Sequence, residues 1–170
     1  SGIITATAFV SDTPLSHRNL VINGAMLVAQ RATSDVGSTG GYKTVDRFPH
    51  YATGLDENAT QSQVDVASGT TPYTLGFRKA FRITNGNQTS GAGAGDMLFG
   101  YYNLEAQDVS NSGWNYTSAS SFITLSFWVK SSVAQNFYGY VRTRDGTEQS
   151  RPFQTGSLTA NTWTKITKVI

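Results

Sequence analysis

The sequence predicts an all-β fold, an antiparallel β-sandwich of jelly-roll type, on three observations. Apolar and polar residues alternate with a period of two in several short segments, the spacing of a half-buried strand. Between them lie stretches rich in Gly, Asn, Asp and Ser, residues that tolerate the positive φ of tight turns. Charged residues make up 14% of the chain against 38% hydrophobic and 12% aromatic, which leaves ample bulk to bury and too few charges for a disordered chain.

In chain order, residues 1–14 read as a short extended β strip. Gly2-Ile-Ile-Thr-Ala-Thr-Ala-Phe-Val-Ser11 is β-prone but built of small residues, so it needs a pairing partner to be stable. Residues 15–170 are long enough for one β-sandwich domain. Leu20–Ala29 is its first candidate strand, the Val21-Ile22 start favouring a strand over a helix. Val45–Tyr51 and Ala59–Val66 follow. In Leu75–Thr84, Leu75, Phe77, Phe81 and Ile83 share a face with Lys79, while Arg78 and Arg82 lie opposite. After Asp96–Ala106 comes the clearest alternation, Phe122–Ser131, with Ile123, Leu125, Phe127 and Val129 on one side and Thr124, Ser126, Trp128 and Lys130 on the other.

Phe137–Arg144 places Tyr138, Tyr140, Arg142 and Arg144 on one side. Arg144-Asp145-Gly146-Thr147 is the strongest hairpin signal, because Asp-Gly suits a two-residue turn. Pro152–Gly156 and Trp163–Ile170 complete the set. Trp163 and Ile166 have opposite parity, so either one of them faces outward or a bulge shifts the register.

Several function classes are excluded at this level. A net charge of +2, with no basic run longer than Arg78-Lys79, offers no electrostatic capture of nucleic acid. The absence of cysteine removes disulfides and thiolate metal sites. No apolar run is long enough to span a membrane, and no signal peptide is visible. The chain opens on Ser1-Gly2 and stops inside a candidate strand, so it reads as a piece of a longer polypeptide with its domain truncated at the C-terminal end.

The search for chemistry is nearly empty. His17 and His50 are the two histidines, and no His-x-x-x-His spacing, Gly-x-Ser-x-Gly elbow or P-loop occurs. Gly91-Ala-Gly-Ala-Gly95 reads as a flexible loop. The carboxylate pairs Asp56 with Glu57, Glu105 with Asp108, and Asp145 with Glu148 sit beside turn signals, where acids are ordinarily solvated. The chain is therefore expected to be non-catalytic and without a cofactor. Asp96, Glu105 and Asp108 are weak candidates for a structural calcium ion held by loop oxygens.

Sugar sites combine flat aromatic faces with amides, carboxylates and arginines. Tyr138, Tyr140, Arg142 and Arg144 form the best such stripe, with Trp128 and Trp114 next. Packing against a second sheet or a partner subunit is the favoured reading of the same stripe, since Tyr and Arg are also interface residues. Asp46 and Arg47 are expected to form a buried pair beside Phe48 that fixes the first strands.

The combination Leu15-Ser-His-Arg-Asn-Leu-Val-Ile-Asn-Gly-Ala-Met26, Ala29-Gln-Arg-Ala-Thr33 and Tyr42-Lys-Thr-Val-Asp-Arg-Phe48 resembles the opening of a module found in tail fibres and virion structural proteins of phages, those of marine cyanobacterial phages above all. The family pattern runs N-L-I-I-N-G, A-Q-R-G-T-S and Y-x-x-x-D-R-[WF]; Ala32 stands where it has glycine. Ile123-Thr-Leu-Ser-Phe-Trp-Val-Lys-Ser131 and Leu158-Thr-Ala-Asn-Thr-Trp-Thr-Lys-Ile166 resemble strands of jelly-roll carbohydrate-binding modules, and Gly2–Phe9 resembles fibre-shaft sequence. The resemblance covers most of the chain. It implies a jelly-roll head on a homotrimeric fibre, with further strands after Ile170, other virion proteins as neighbours, a host-surface glycan as a candidate ligand, and a location on the virion, outside the cell after release. A capsid-attached fibre or decoration protein acting only in assembly, and the carbohydrate-binding module of a polysaccharide-degrading enzyme, are the alternatives.

Overall fold

The computed structural model describes residues 19–37, 40–144 and 146–170. The expected β strip over 1–14 lies outside them. Strands hold 34% of the described residues and helices 7%, so the fold is β-rich with antiparallel pairing throughout. Its elements are β1 (Ser34–Val36), β2 (His50–Thr53), β3 (Thr60–Asp65), α1 (Thr71–Thr74), β4 (Lys79–Thr84), β5 (Met97–Gly100), α2 (Ala106–Ser112), β6 (Thr124–Val129), β7 (Asn136–Arg142), β8 (Ser150–Ser157) and β9 (Thr164–Val169).

The strands form a three-stranded sheet, β1-β3-β4, and three two-stranded ones, β2-β5, β6-β9 and β7-β8. In the first half β4 packs over β5. A Cβ on Gly100 would meet Phe81 at 3.1 Å and Ile83 at 3.2 Å, so Phe81 and Ile83 approach the Cβ side of that glycine, which keeps exposed surface. Opposite them in the register stand Gln63 and Gln61, which therefore share the inward face. Gln61 is fully buried and accepts a hydrogen bond from Thr44 Oγ1 at 3.3 Å. This half buries Val45, Ala59 and Val66 but also Thr44, His50, Gln61 and Ser62.

The second half is more conventional. Phe127 of β6 pairs with Ile166 of β9, which is 5% exposed. Phe127 meets Phe153 of β8 edge-to-face, centroids 6.2 Å apart at 61°, and this contact joins the two sheets. Phe153 lies across its strand partner Gly139, where a Cβ would come within 2.5 Å of the ring.

The β7–β8 hairpin closes through Thr143 N to Gln149 O at 2.9 Å and Gln149 N to Thr143 Oγ1 at 3.0 Å. Near its far end β8 holds one residue more than β7 between paired positions, Asn136↔Ser157 and Tyr138↔Gln154. Gly156 there has φ +77°, as a glycine bulge requires.

Several expected elements move. The Leu20–Ala29 segment forms a turn rather than a strand. The strand expected over Val45–Tyr51 begins only at His50, because Phe48 N bonds to Val45 O across a turn in which Arg47 adopts φ +76°. Leu75–Phe77 precede β4, and Thr71–Thr74 form the short helix α1, with Pro72 in its first turn. The second half of Asp96–Ala106 is not strand. α2 ends at Ser112, stopped by Gly113 at φ +72°. No bulge resolves the Trp163 parity: β9 starts at Thr164 in continuous register, and Trp163 lies just before it under Lys130 Nζ, 5.5 Å from the ring centre.

Candidate functional site

β7 turns Tyr138, Tyr140 and Arg142 outward together, as the period-two stripe predicts. Tyr138 is 80% exposed, the highest value for any large hydrophobic side chain described. The inward residues explain the outward ones: Gly139 is covered by Phe153, so its flanking tyrosines must project to the other face. The Arg142 guanidinium sits 4.9 Å from the Tyr140 ring centre and its Nη1 is 3.2 Å from Glu148 Oε1, which fixes that end of the stripe. At the other end Asn136 Nδ2 donates to Gln154 Oε1 at 2.8 Å, and Gln154 is the strand partner of Tyr138. Pro152 lies opposite Tyr140. The outward face here thus carries two exposed phenol side chains, with amides at one end and an ion pair at the other.

Arg144 follows β7 and is exposed. The remaining aromatic candidates lie elsewhere. Trp128 is on β6, opposite Lys165 of β9, and Trp114 follows α2, half-buried and edge-on to Tyr116 at 6.2 Å.

A second aromatic row escapes strand-by-strand reading. Tyr51 of β2 is the strand partner of Phe99 of β5, with ring centres 5.4 Å apart, and Phe99 lies 5.9 Å from Tyr101. Gly100 faces inward, so Phe99 and Tyr101 face out, with Met97 on the same parity. These rings lean on one another and present a ridge rather than free faces; the only signal in the sequence is the Met97-x-Phe99-x-Tyr101 alternation.

The motif residues of the first half form a different assembly. Asn23, at φ +59°, donates from Nδ2 to Val28 O and to Asp46 O, both at 2.9 Å, and accepts at Oδ1 from Val28 N at 3.0 Å. Asp46 Oδ1 accepts from Gln30 N at 3.3 Å and lies 3.5 Å from Arg31 Nη1. Gln63 Nε2 donates to Met26 O at 2.7 Å and Leu27 O at 3.1 Å. The expected Asp46–Arg47 pair is corrected here: the two side chains engage different partners, and neither residue is buried. Arg47 pairs with Glu105, whose hydrogen bond holds the guanidinium above its ordinary pKa. Phe48 packs between Phe81 at 6.3 Å and Tyr102 at 5.2 Å, and Tyr102 Oη accepts from Ile22 N at 2.9 Å.

Most of the candidate carboxylates have local partners, whereas Asp108 Oδ2 is buried with none among the described residues. Asp56 accepts from Ser90 N at 2.6 Å and Ser90 Oγ at 2.7 Å; these bonds, the backbone one first, hold its pKa below the ordinary aspartate value. Glu57 accepts from Asn87 N at 2.5 Å and Asp96 from Gly93 N at 2.5 Å. Glu148 serves Arg142, while Asp145 lies outside the described residues.

Asp96, Glu105 and Asp108 do not gather into a calcium site: Glu105 and Asp108 share the start of α2 while Asp96 precedes β5, and among the described residues no cluster of three or more metal-ligating side chains forms. His50 is 1% exposed and its Nδ1 has no protein partner; it lines a shallow cleft of about 180 Å³ with Thr53, Leu55 and Asn58. His17 lies outside the described residues. Among them no helix is long and apolar enough to cross a membrane.

No protein-family model, no curated protein and no solved structure matches the chain.

Proposed function

We propose that the chain is a non-catalytic structural component of a phage virion appendage, a tail fibre, in which a jelly-roll sandwich associates with identical chains as a homotrimer and leaves one sheet face free for a host-surface glycan. The observation that carries the assembly reading is the balance of apolar side chains. Five hydrophobic residues are buried among those described, whereas thirteen large ones, Ile22, Leu27, Tyr51, Met97 and Phe122 among them, are exposed by 40% or more. Burying each fully would be worth about 1.5–3 kcal/mol, and contact with other copies is the direct way to gain it.

The Tyr51–Phe99–Tyr101 row with Met97 supports the same reading. It is aromatic, contains a methionine and has no charged member, the composition of an interface centre. Light scattering on the purified chain tests the proposal: a mass of three chains at micromolar concentration is expected, and a monomer overturns it. The same measurement on a chain lacking residues 1–14 asks whether that strip is the trimer's seam. The reading as a carbohydrate-binding module of a polysaccharide-degrading enzyme is favoured by the Tyr138 platform alone, and it predicts a monomer that still binds saccharide.

A further inference from the structure

We infer that the β7–β8 platform is a stacking subsite for one pyranose ring of a neutral polysaccharide, centred on Tyr138 and framed by Asn136 and Gln154. The inference deepens the glycan part of the proposed function but does not depend on the oligomeric state.

Ring accessibility carries the first step. A sugar stacks its C–H face on the flat of an aromatic ring, so the ring must have an unoccupied face. Tyr51, Phe99 and Tyr101 use theirs against one another. Trp114 meets Tyr116, Trp163 lies under Lys130, and Tyr140 has Arg142 over one side. Tyr138 is 80% exposed, and no ring or cation contact to it occurs among the described residues.

The second step is the polar frame. Hydroxyls in a sugar ring need partners that both donate and accept, which is what amides supply. The Asn136–Gln154 bond of 2.8 Å orders the two amides beside Tyr138. Asn136 Oδ1 also lies 3.3 Å from Thr155 Oγ1, whose single proton has a shorter acceptor in Gly156 O at 2.7 Å. That leaves Gln154 Nε2, on an exposed side chain, with no acceptor among the described residues. The glycine bulge at Gly156 sets this arrangement, because the register shift falls between Asn136 and Tyr138.

Charge selects the ligand class. At the Tyr138 end the frame is made of neutral amides, and Arg142 further along β7 is already matched by Glu148. Size argues against a protein partner. The platform is a few side chains wide, a patch of at most a few hundred Å², whereas a stable protein interface takes about 800 Å² from each side. A single such site is weak, and repetition on several copies would supply the avidity.

The test is a titration of the whole chain with neutral hexasaccharides (cello-, malto-, xylo-, manno- and laminarihexaose) at millimolar concentration, followed by NMR of the Tyr138 ring and the Gln154 side-chain amide. At least one sugar is expected to shift both. Tyr138→Ala should weaken that binding about tenfold, the factor matching the upper range of an aromatic stacking interaction. Gln154→Ala should weaken it about threefold to tenfold, and Arg82→Ala, at an exposed position on β4, should leave it unchanged. The Tyr138 and Gln154 side chains are exposed, so their variants should fold. Binding should also be insensitive to salt. The inference is overturned if no hexasaccharide moves the Tyr138 ring, if Tyr138→Ala binds as well as the parent, or if affinity collapses as salt rises. A monomer that binds in this way would refute the trimer and leave the subsite standing.

Discussion

Gly139→Ala sets two physical expectations against each other. Gly139 is a strand residue without a positive φ, so its backbone suits alanine. Replacing it should then stabilise the fold by about 0.4–1 kcal/mol through the unfolded chain. The packing says the opposite. The new Cβ would meet Phe153 Cζ at 2.5 Å and both Cε atoms at 3.0 Å. Three ring atoms at that range cannot be relieved by a small adjustment. The ring must swing, and it is held by its edge-to-face contact with Phe127 at 6.2 Å.

Overpacking of this kind costs about 1–3 kcal/mol, which exceeds the backbone gain. The expected net loss is about 1–2 kcal/mol, or a fall in Tm of about 2–8 °C for a chain of this size, read by circular dichroism on heating. The mechanism has a sharper signature in a double-mutant cycle. With Phe153→Ala in place the ring is gone, and Gly139→Ala should become neutral or stabilising. If Gly139→Ala lowers Tm equally in both backgrounds, or raises it in the parent, the ring-over-glycine account of the two-sheet contact is wrong.

Asn23→Ala should lose about 2.5–6.5 kcal/mol in urea unfolding, since three hydrogen bonds of about 0.5–1.5 kcal/mol each and a left-handed backbone are involved; Asn23→Gly keeps the φ and should lose about 1–2 kcal/mol less, and equal losses would refute the backbone part. Asp56 has a lowered folded pKa, so its contribution is complete above its unfolded value of about 3.9 and is lost as pH falls through the folded value. Asp56→Asn should therefore flatten the acid limb of a urea midpoint against pH series, and parallel limbs would count against the Ser90 bonds. Ile166→Ala, at a 5% exposed site opposite Phe127, should cost about 2–5 kcal/mol, whereas Tyr138→Ala should stay within about 0.5 kcal/mol. Comparable losses at the two positions would mean that Tyr138 packs against something.

Strand alternation was legible wherever one face is apolar. β6 and β7 fall where the period of two puts them, β9 falls in a segment whose parity is broken, and the Asp-Gly signal lies within a β7–β8 connection that closes at Thr143 and Gln149, longer than a two-residue turn. β3 was located too, but its inward face is Gln61 and Gln63, so no hydrophobic pattern announces what it packs against. The segment from Leu20 was misread because its Val21-Ile22 propensity is overridden by Asn23, whose side chain bonds the backbone on both sides and turns the chain. The strand expected from Val45 was displaced by the Arg47 turn. Short helices such as α2 carry too few residues for a helical period to show.

Within the candidate site, the Tyr138–Tyr140–Arg142 stripe needed only local spacing. Its amide frame did not, because Gln154 reaches Tyr138 through strand pairing and a bulge. The Tyr51–Phe99 contact likewise exists only once β2 and β5 are paired.

The geometry also separates what the sequence resemblance can carry from what it cannot. Asn23, Gln30, Arg31, Asp46, Arg47 and Phe48 belong to the segments that resemble phage virion proteins, and the structure binds them into one knot. Asn23 and Asp46 tie the first turn to the 44–48 segment, Arg47 reaches Glu105, and Phe48 packs on Phe81 and Tyr102. Their chemistry is that of folding: side chains bonded to backbone, a left-handed Asn and Arg, an aromatic plug. A chain sharing these residues would share a way of starting the domain, whatever it binds. The Tyr138 platform draws on none of them. Its rings, amides and bulge lie in the second half, on a hairpin whose inward face packs through Gly139 and Phe153, with Phe127 against the latter. Outward residues of that hairpin make none of the contacts that hold the knot, so substituting them should leave the knot intact.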